Sequence, residues 1–474
     1  MAASDLDLRI DALRATDALP SAAIDAFKSF LLHATDEELF RASPLRWAAK
    51  NGFSEQVAID LFLHATHAGI LEFAWGLLCP GCMAFLTTPG ALRLLQRRHC
   101  NFCDIDIDGT IDDRVEVAFT VAPAVRKIRF HQPETLDLRA DAMRLYFSSS
   151  LARESEPHRY VETRITHADR APPGQTQVIR VTVGDEAQSL LAPTCHAAFY
   201  LYGDGPADGP RSARVELFDG SAIPANVHLP KGEIELTILN RMAEPLGYVI
   251  APVSGAGWKA PNAPGECSVH PTLPYLTGPR LIATQAFRDL FRAQSIPSEG
   301  GLELKSVTVL FTDLKGSTAI YERVGDIRAY DLVRRHFGAL RAIAAAQGGA
   351  IVKTIGDAVM ATFADPADAM AAALKMQDDI AHLGEGELSL KIGMHTGPCI
   401  AVELNDRLDY FGRTVNLAAR VQGVADAGEI ACTAAVYETR GVAASVEAKG
   451  YRAARAMMPL RGIAGDVSVL RLSR

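Results

Sequence analysis

Lys353-Thr354-Ile355-Gly356-Asp357-Ala358-Val359-Met360-Ala361-Thr362-Phe363 reads as two short strands joined by a tight Gly-Asp turn. Ile351, Lys353 and Ile355 fall on one face of the first strand and Val352 and Thr354 on the other, while Val359, Ala361 and Phe363 repeat the period of two after the turn. A half-buried hairpin is expected, with a carboxylate at its tip where it can hold a hard cation. Alone it decides nothing about chemistry, because Gly-Asp is a common turn pair and a strand lysine usually reaches out to water.

Two further stretches change the reading. Val307-Thr308-Val309-Leu310-Phe311-Thr312-Asp313 is a buried-type strand ending in a carboxylate, followed by Leu314-Lys315-Gly316-Ser317-Thr318. Gly316 lets the backbone approach a ligand, and Ser317 or Thr318 can cap a helix whose free amides suit phosphate oxygens. Asp313 and Asp357 would then flank a phosphate-binding turn, the usual protein share of a two-magnesium centre. Asp409-Tyr410-Phe411-Gly412-Arg413-Thr414-Val415-Asn416-Leu417-Ala418-Ala419-Arg420 places Asn416 and Arg420 four apart on one face of an expected helix, with Asp409 just before it as a possible N-cap.

Together the three stretches resemble the catalytic domain of class III nucleotidyl cyclases, from about Leu302 to the C-terminus. The resemblance implies that Asp313, the Leu314 backbone and Asp357 hold two Mg²⁺ or Mn²⁺ per site, and that Gly316, Ser317 and Thr318 lie on the substrate phosphates. It implies that Lys353 and Asp409 read the base, as in adenylyl rather than guanylyl cyclases, which usually carry Glu and Cys there. Asn416 and Arg420 would orient the ribose and stabilise the transition state. The substrate would be ATP, the products 3′,5′-cyclic AMP and diphosphate, and the site would be shared across a homodimer. Lys315, where many relatives carry a hydrophobic residue, is the one departure near the site. A guanylate or pyrimidine-nucleotide cyclase is the rival within the class, and a non-catalytic binder of nucleotide or nucleic acid the rival outside it. The Gly-Gly-Asp/Glu-Glu-Phe turn of diguanylate cyclases is absent.

The whole chain fits a multidomain soluble enzyme. Its 474 residues are 48% hydrophobic and 22% charged, enough for several cores. Nothing approaches the roughly 18 uninterrupted apolar residues of a membrane span, and the N-terminus lacks the features of a signal peptide, so a cytoplasmic protein without membrane contact is expected. With a net charge of −8, and 9 Lys or Arg against 14 Asp or Glu in residues 1–110, nucleic acid is an unfavoured partner. A regulatory ligand or protein is expected but not readable.

Four of the eight cysteines form two C-x-x-C knuckles, Cys79/Cys82 and Cys100/Cys103, separated by 17 residues. That spacing is a zinc ribbon's and predicts one structural Zn²⁺. Cys195, Cys267, Cys399 and Cys432 are scattered and read as small buried hydrophobes. The run Asp104-Ile105-Asp106-Ile107-Asp108-Gly109 mimics a calcium loop, but Val115 occupies its twelfth position, so calcium is not expected.

The expected organisation is a helical, winged-helix-like part at 1–75, the zinc ribbon at 76–110, a β-sandwich regulatory domain at 111–280, a linker helix at 281–301 and an α/β, ferredoxin-like cyclase domain with a mixed sheet at 302–474. Helices are predicted at 22–32, 44–50 and, capped by Ser54, to residue 66. The sandwich strands are predicted at 115–121, 160–166, 177–183, 197–202, 213–218, 232–240 and 246–251. A proline-containing linker through Pro261, Pro264, Pro271 and Pro274 leads to an amphipathic helix at 283–293, read as packing. In the C-terminal domain a helix is predicted at 366–382, with strands at 388–394 and 399–404.

Overall fold

A computed structural model of the chain describes residues 5–474 except 17, 88–97, 101, 102, 104, 108–111, 254–271, 292–301, 316–321, 323, 324, 384–388 and 405–406. Gly316, Ser317 and Thr318, Cys267, and Pro261, Pro264 and Pro271 lie outside the described residues. No helix among the described residues is long and apolar enough to cross a membrane.

The chain starts with helices α1 (Asp5–Arg14), α2 (Ser21–His33), α3 (Asp36–Leu39), α4 (Pro44–Asn51) and α5 (Glu55–His67). Their starts are written in the sequence. Thr35 and Glu38 form a reciprocal capping box, Ser43 accepts from Arg46 N ahead of Pro44 at the first helical position, and Ser54 Oγ accepts from Val57 N. These helices bury Phe27, Trp47 and Phe62 against a sheet of order β15-β5-β1-β2, made of β1 (Leu71–Leu78), β2 (Phe85–Thr87), β5 (Val115–Val121) and β15 (Leu276–Thr277). The knuckle cysteines lie between β1 and β2 and around the small hairpin β3 (Arg98–Cys100) and β4 (Ile105–Ile107).

Two sequence expectations fail in the middle region. Residues 115–121 are a strand, but it pairs along β1, with Leu71 opposite Val121 and Leu77 opposite Val115, and is not part of the sandwich. Residues 160–166, read as a strand from their alternating pattern, fall mostly in a helix. After α6 (Ala142–Tyr146), α7 runs Glu156–Arg164 with Pro157 in the first turn, a start that favours the helix over the local alternation, while Ser155 at the N-cap position makes no side-chain capping bond. The sandwich itself begins at β6 (His167–Ala171). One sheet has the order β12-β9-β8-β14-β6 and the other β11-β10-β13-β7. These are β7 (Thr176–Val183), β8 (Gln188–Ala192), β9 (Ala197–Tyr202), β10 (Ser212–Phe218), β11 (Ser221–Ile223), β12 (Asn226–His228), β13 (Gly232–Asn240) and β14 (Leu246–Pro252), closing on Phe199, Ile238 and Tyr248.

Two short helices, α8 (Gly278–Ile282) and α9 (Gln285–Leu290), precede the C-terminal domain, and α9 is shorter than the predicted 283–293. The domain contains β16 (Leu302–Lys315), α10 (Asp326–Ala346), β17 (Ala350–Ile355), β18 (Ala358–Phe363), α11 (Pro366–Leu383), β19 (Ser389–Leu404), β20 (Arg407–Phe411) and α12 (Arg413–Gln422). It ends with β21 (Ile430–Thr433), α13 (Ala434–Tyr437), α14 (Val442–Ala448), β22 (Arg452–Pro459) and β23 (Asp466–Ser473). The mixed sheet runs β17-β18-β16-β19-β21-β23-β22, with β20 on the far half of β19. Among the described residues of this sheet, only the β19-β21 pairing is parallel.

Helices α10 and α11 cover one face of this sheet through Leu340, Ile343, Met370 and Met376. The other face carries α12 and shares a core with α8 and α9, in which Val309, Phe311, Val352 and Tyr410 join Leu281 and Phe287. Residues 388–394 and 399–404, predicted as two strands, belong to the single strand β19. Gly397-Pro398 does not break it because Gly397 pairs with Val307 of β16 and leaves room for Thr414, whose Oγ1 would lie 2.8 Å from an added Cβ.

Candidate functional site

The hairpin β17-β18 forms, but a register shift between Ile351 and Lys353 interrupts the expected alternation, and Gly356 at φ 64° makes the turn that presents Asp357. Pairing of Thr312 with Val359 aligns the end of β16 with this turn, which sets Asp313 beside Asp357. Both side chains are half-buried. Burial and then the Asp357 charge push the Asp313 carboxyl above its usual range, while Lys391 and a hydrogen bond with Gln422 oppose the shift. Two neighbouring carboxylates are matched to a divalent cation between them, so the donor set fits Mg²⁺ or Mn²⁺.

Lys353 and Asp409 meet at 2.6 Å between Nζ and Oδ2, although β17 and β20 are separated by several strands along the sheet path. The β19-β20 hairpin therefore curls across the sheet face. Asp409 is a strand residue, not a helix cap, and its Oδ1 accepts from Tyr410 N at 2.8 Å. The Asp409 side chain is 10% exposed and that of Lys353 40%, so the pair has one dry and one open end.

Asn416 and Arg420 are exposed, and no side-chain hydrogen bond or ion pair joins either to another described residue. The buried residues of α12 are Thr414, Leu417, Ala418 and Val421. At about 100° per residue, Asn416 and Arg420 leave the helix about 120° and about 160° around it from Gln422. Gln422 faces Asp313. The helix thus turns its polar pair away from its own chain's carboxylates.

Sequence reasoning missed three residues here. Gln422 sits behind Asp313, and a lone amide at a helix end carries no sequence signal. Arg288 of α9, read only as part of a packing helix, donates to the carbonyl oxygens of Leu408 and Val352, each one residue before a member of the Lys353–Asp409 pair. Its guanidinium lies 5.7 Å from the Tyr410 ring centre, and its neighbour Gln285 accepts from Ile351 N at 2.8 Å. His336 of α10 is fully buried with both ring nitrogens unpartnered, and burial lowers its pKa to about 4, against the pull of Asp357.

His336 sets an acid limit. Its folded pKa, about 4, lies below the ordinary 6.5, so between these values the unfolded chain binds a proton that the folded chain refuses. Stability should therefore fall as pH drops below about 6.5, by about 1.4 kcal/mol per unit, and be insensitive to this group above it. Urea unfolding at pH 7.5 and pH 5 checks this: in His336→Phe the loss at pH 5 should be smaller by that one-proton slope.

The second candidate centre is Cys79, Cys82, Cys100 and Cys103, whose sulfurs all lie within 4.8 Å of one another, with Cys82 and Cys100 at 3.7 Å. Tetrahedral Zn–S bonds of about 2.3 Å place sulfurs about 3.8 Å apart, so the cage fits. A Cβ on Gly81 would stand 2.6 Å from Cys103 Sγ, which makes glycine obligatory in the knuckle. Hydrogen bonds from Cys100, Cys103 and Cys82 push the Cys79 thiol well down, while burial pushes Cys82 well up. The cluster by itself thus favours one thiolate, and a divalent cation is what allows all four to ionise.

Residues 3–289, more than half the chain, match a family described as "Family of unknown function (DUF5939)", and residues 302–463 match "Adenylate and Guanylate cyclase catalytic domain". The chain belongs to the first family and ends in a cyclase catalytic domain. Its curated relatives include a pH-sensitive adenylate cyclase of Mycobacterium tuberculosis, 34% identical over 195 residues, covering 41% of this chain and 46% of that protein. Adenylate cyclase 2 of Rhizobium meliloti is 35% identical over 130 residues, covering 24% of this chain and 36% of that protein. The match thus spans less than half the length of either relative. Among solved structures, the adenylyl cyclase CyaB of P. aeruginosa is 26% identical, covering 36% of this chain and 96% of that one, with a TM-score of 0.32. All six side chains proposed above for metal, base and transition state fall within the cyclase domain, and Arg288 lies at the last residues of the DUF5939 region.

Proposed function

We propose that this chain is an adenylate cyclase that converts ATP to 3′,5′-cyclic AMP and diphosphate at a homodimer interface, under the control of its DUF5939 region. The observation that carries the reading is the Lys353–Asp409 pair at 2.6 Å, which sits in the same domain as the Asp313–Asp357 pair and the outward-facing Asn416 and Arg420. Lys353 can donate to an adenine ring nitrogen while Asp409 accepts from the adenine amino group, and guanine reverses both demands. The base must take over the hydrogen bonds that the two side chains now give each other. Its dry end at Asp409 makes a mismatch costly.

Two Mg²⁺ or Mn²⁺ ions, when bound at Asp313, Asp357 and the Leu314 backbone, acidify the ribose 3′-hydroxyl and neutralise the triphosphate. Asn416 orients the ribose. The 3′-oxygen then bonds to the α-phosphorus, the bond from that phosphorus to its β-bridging oxygen breaks, diphosphate leaves and the hydroxyl proton passes to water. Arg420 meets the charge that develops at the α-phosphoryl group. Gly316, Ser317 and Thr318 are proposed for the triphosphate oxygens. The four cysteines hold one structural zinc.

The test is to incubate the purified chain with ATP, GTP, CTP or UTP and Mg²⁺ or Mn²⁺ and identify the product by mass. Cyclic AMP should dominate. Two mismatched buried contacts, at about 1–3 kcal/mol each, imply an ATP-over-GTP preference of about 10²-fold or more. Lys353→Glu combined with Asp409→Cys should erase most of that preference. Equal turnover of GTP by the unmutated chain would overturn the base assignment.

A further inference from the structure

Between α2–α4 and the segment from α6 to α7 lies a cleft of about 880 Å³, within the size range of small-molecule sites. Arg46 and Arg144 form part of its wall, and both of them, with Arg41, surround Glu116, which is 1% exposed. The three guanidinium groups donate to neutral oxygens. Arg41 donates to Leu145 O at 2.9 Å, Arg46 to Ser149 O at 2.5 Å and to its Oγ, and Arg144 to the carbonyls of Glu37 and Phe40. Glu116 is the one buried carboxylate among these three positive charges in the described residues, with Glu37 at the rim acting on Arg144 as well. Burial pulls Arg41 and Arg144 down to about 10, helped at Arg144 by repulsion from Arg46 and Arg41, and burial pushes Glu116 up. At neutral pH the arginines still carry their charge, so the cluster is a buried positive excess.

Unmet hydrogen-bonding capacity lies at the same place. Trp47 lines the cleft, is 4% exposed and has no partner for its Nε1, and Arg144 Nε and His158 Nδ1 are likewise unpartnered. Such groups cost about 1–3 kcal/mol each when left unpaired. The carboxylates of Glu37 and Glu38 at the rim are already engaged, with Arg129 at 2.6 Å and Lys50 at 2.8 Å. Glu154 and Glu162 stand exposed at the mouth together with Arg153, so the positive excess is at the inner end.

We propose that this cleft is the ligand site of the DUF5939 region and takes a small organic anion, bearing a carboxylate or a phosphate, whose charge lies on Arg46 and Arg144 and whose body lies along Trp47. The ligand joins the helical bundle to the segment that leads into the sandwich, the junction at which an occupied and an empty cleft can differ in shape. The site lies outside the cyclase domain, and its occupancy can be measured without any activity.

Equilibrium dialysis of the full chain, without added divalent metal and at constant ionic strength set with chloride, tests it with radiolabelled inorganic phosphate and, separately, succinate. At least one should bind saturably, near one equivalent per chain. Phosphate alone would point to a phosphorylated ligand, succinate alone to a carboxylate, and both to recognition of the charge. Loss of one charged hydrogen-bond donor in Arg46→Gln should weaken that binding about tenfold or more. Arg153→Gln, at the exposed mouth and outside any core, should weaken it about threefold, and it decides the matter should Arg46→Gln fail to fold. Absence of saturable binding by both anions, or binding unchanged in the folded variants, overturns the proposal.

Discussion

Asp313→Ala and Arg420→Ala should each be nearly inactive alone, yet co-expressed they should recover about a quarter of the unmutated activity. The reason is the orientation of α12. Asn416 and Arg420 leave the helix about 120° and about 160° around it from Gln422, and Gln422 is the residue that faces Asp313. On the proposed reading Arg420 therefore completes the site built around Asp313 and Asp357 of a second chain. In a two-fold dimer each site then takes Asp313 and Asp357 from one protomer and Asn416 and Arg420 from its partner. Loss of one transition-state donor costs about 10²–10³ in turnover, and loss of a metal-holding carboxylate at least as much. In a mixed dimer both defects fall in one site and the other is whole. With about half of the dimers mixed, and one of two sites intact in each, about a quarter of the activity returns. Two affinity tags isolate the mixed species. Mixed dimers as inactive as either parent would mean that Asp313 and Arg420 act within one chain.

Stripping the metal from Cys79, Cys82, Cys100 and Cys103 should unfold the DUF5939 region. Cys79, Cys82 and Cys100 are buried in the same core as Leu78, Met83, Trp75 and the α5 residues, so the cage is part of that core. A structural zinc contributes about 10–16 kcal/mol to small zinc domains, as much as the entire stability of an ordinary domain at about 5–15 kcal/mol. Elemental analysis should find one zinc per chain, and chelation or Cys100→Ser should abolish the cooperative thermal transition of this region. A protein without zinc that melts cooperatively would sink the idea.

The residues of the candidate site could be picked out because the proposed chemistry restricts them to side-chain types at fixed separations. Asp313 ends a buried strand, Asp357 tips a hairpin, and Asn416 and Arg420 keep helical spacing, all of which local sequence states. What escaped was set by contacts far apart in sequence. Arg288 is an ordinary arginine on a short amphipathic helix until β17 and β20 converge on it, and nothing within ten residues of Gln422 indicates that Asp313 will lie against it. Residues 160–166 misled because Tyr160, Glu162, Arg164 and Thr166 alternate with Val161 and Ile165 as a strand would, and Pro157 in the first helical turn was the weaker-looking signal for the helix. The strand at 115–121 was recognised but given to the wrong sheet, because a strand's own pattern does not name its neighbour.

Arg288 belongs to one region by sequence and to the other by its bonds. Its guanidinium ties the backbone ahead of Lys353 to the backbone ahead of Asp409, so the spacing of the pair proposed to read the base is held from outside the cyclase domain. Thermodynamic linkage then runs in both directions. If a signal in the DUF5939 region shifts α9 and changes nucleotide affinity by some factor, nucleotide must change the affinity for that signal by the same factor, typically about 5–150-fold where such coupling exists. A cell rich in ATP would on this account retune the sensor itself, and the protein would respond to the ratio of its substrate and its regulator, not to the regulator alone.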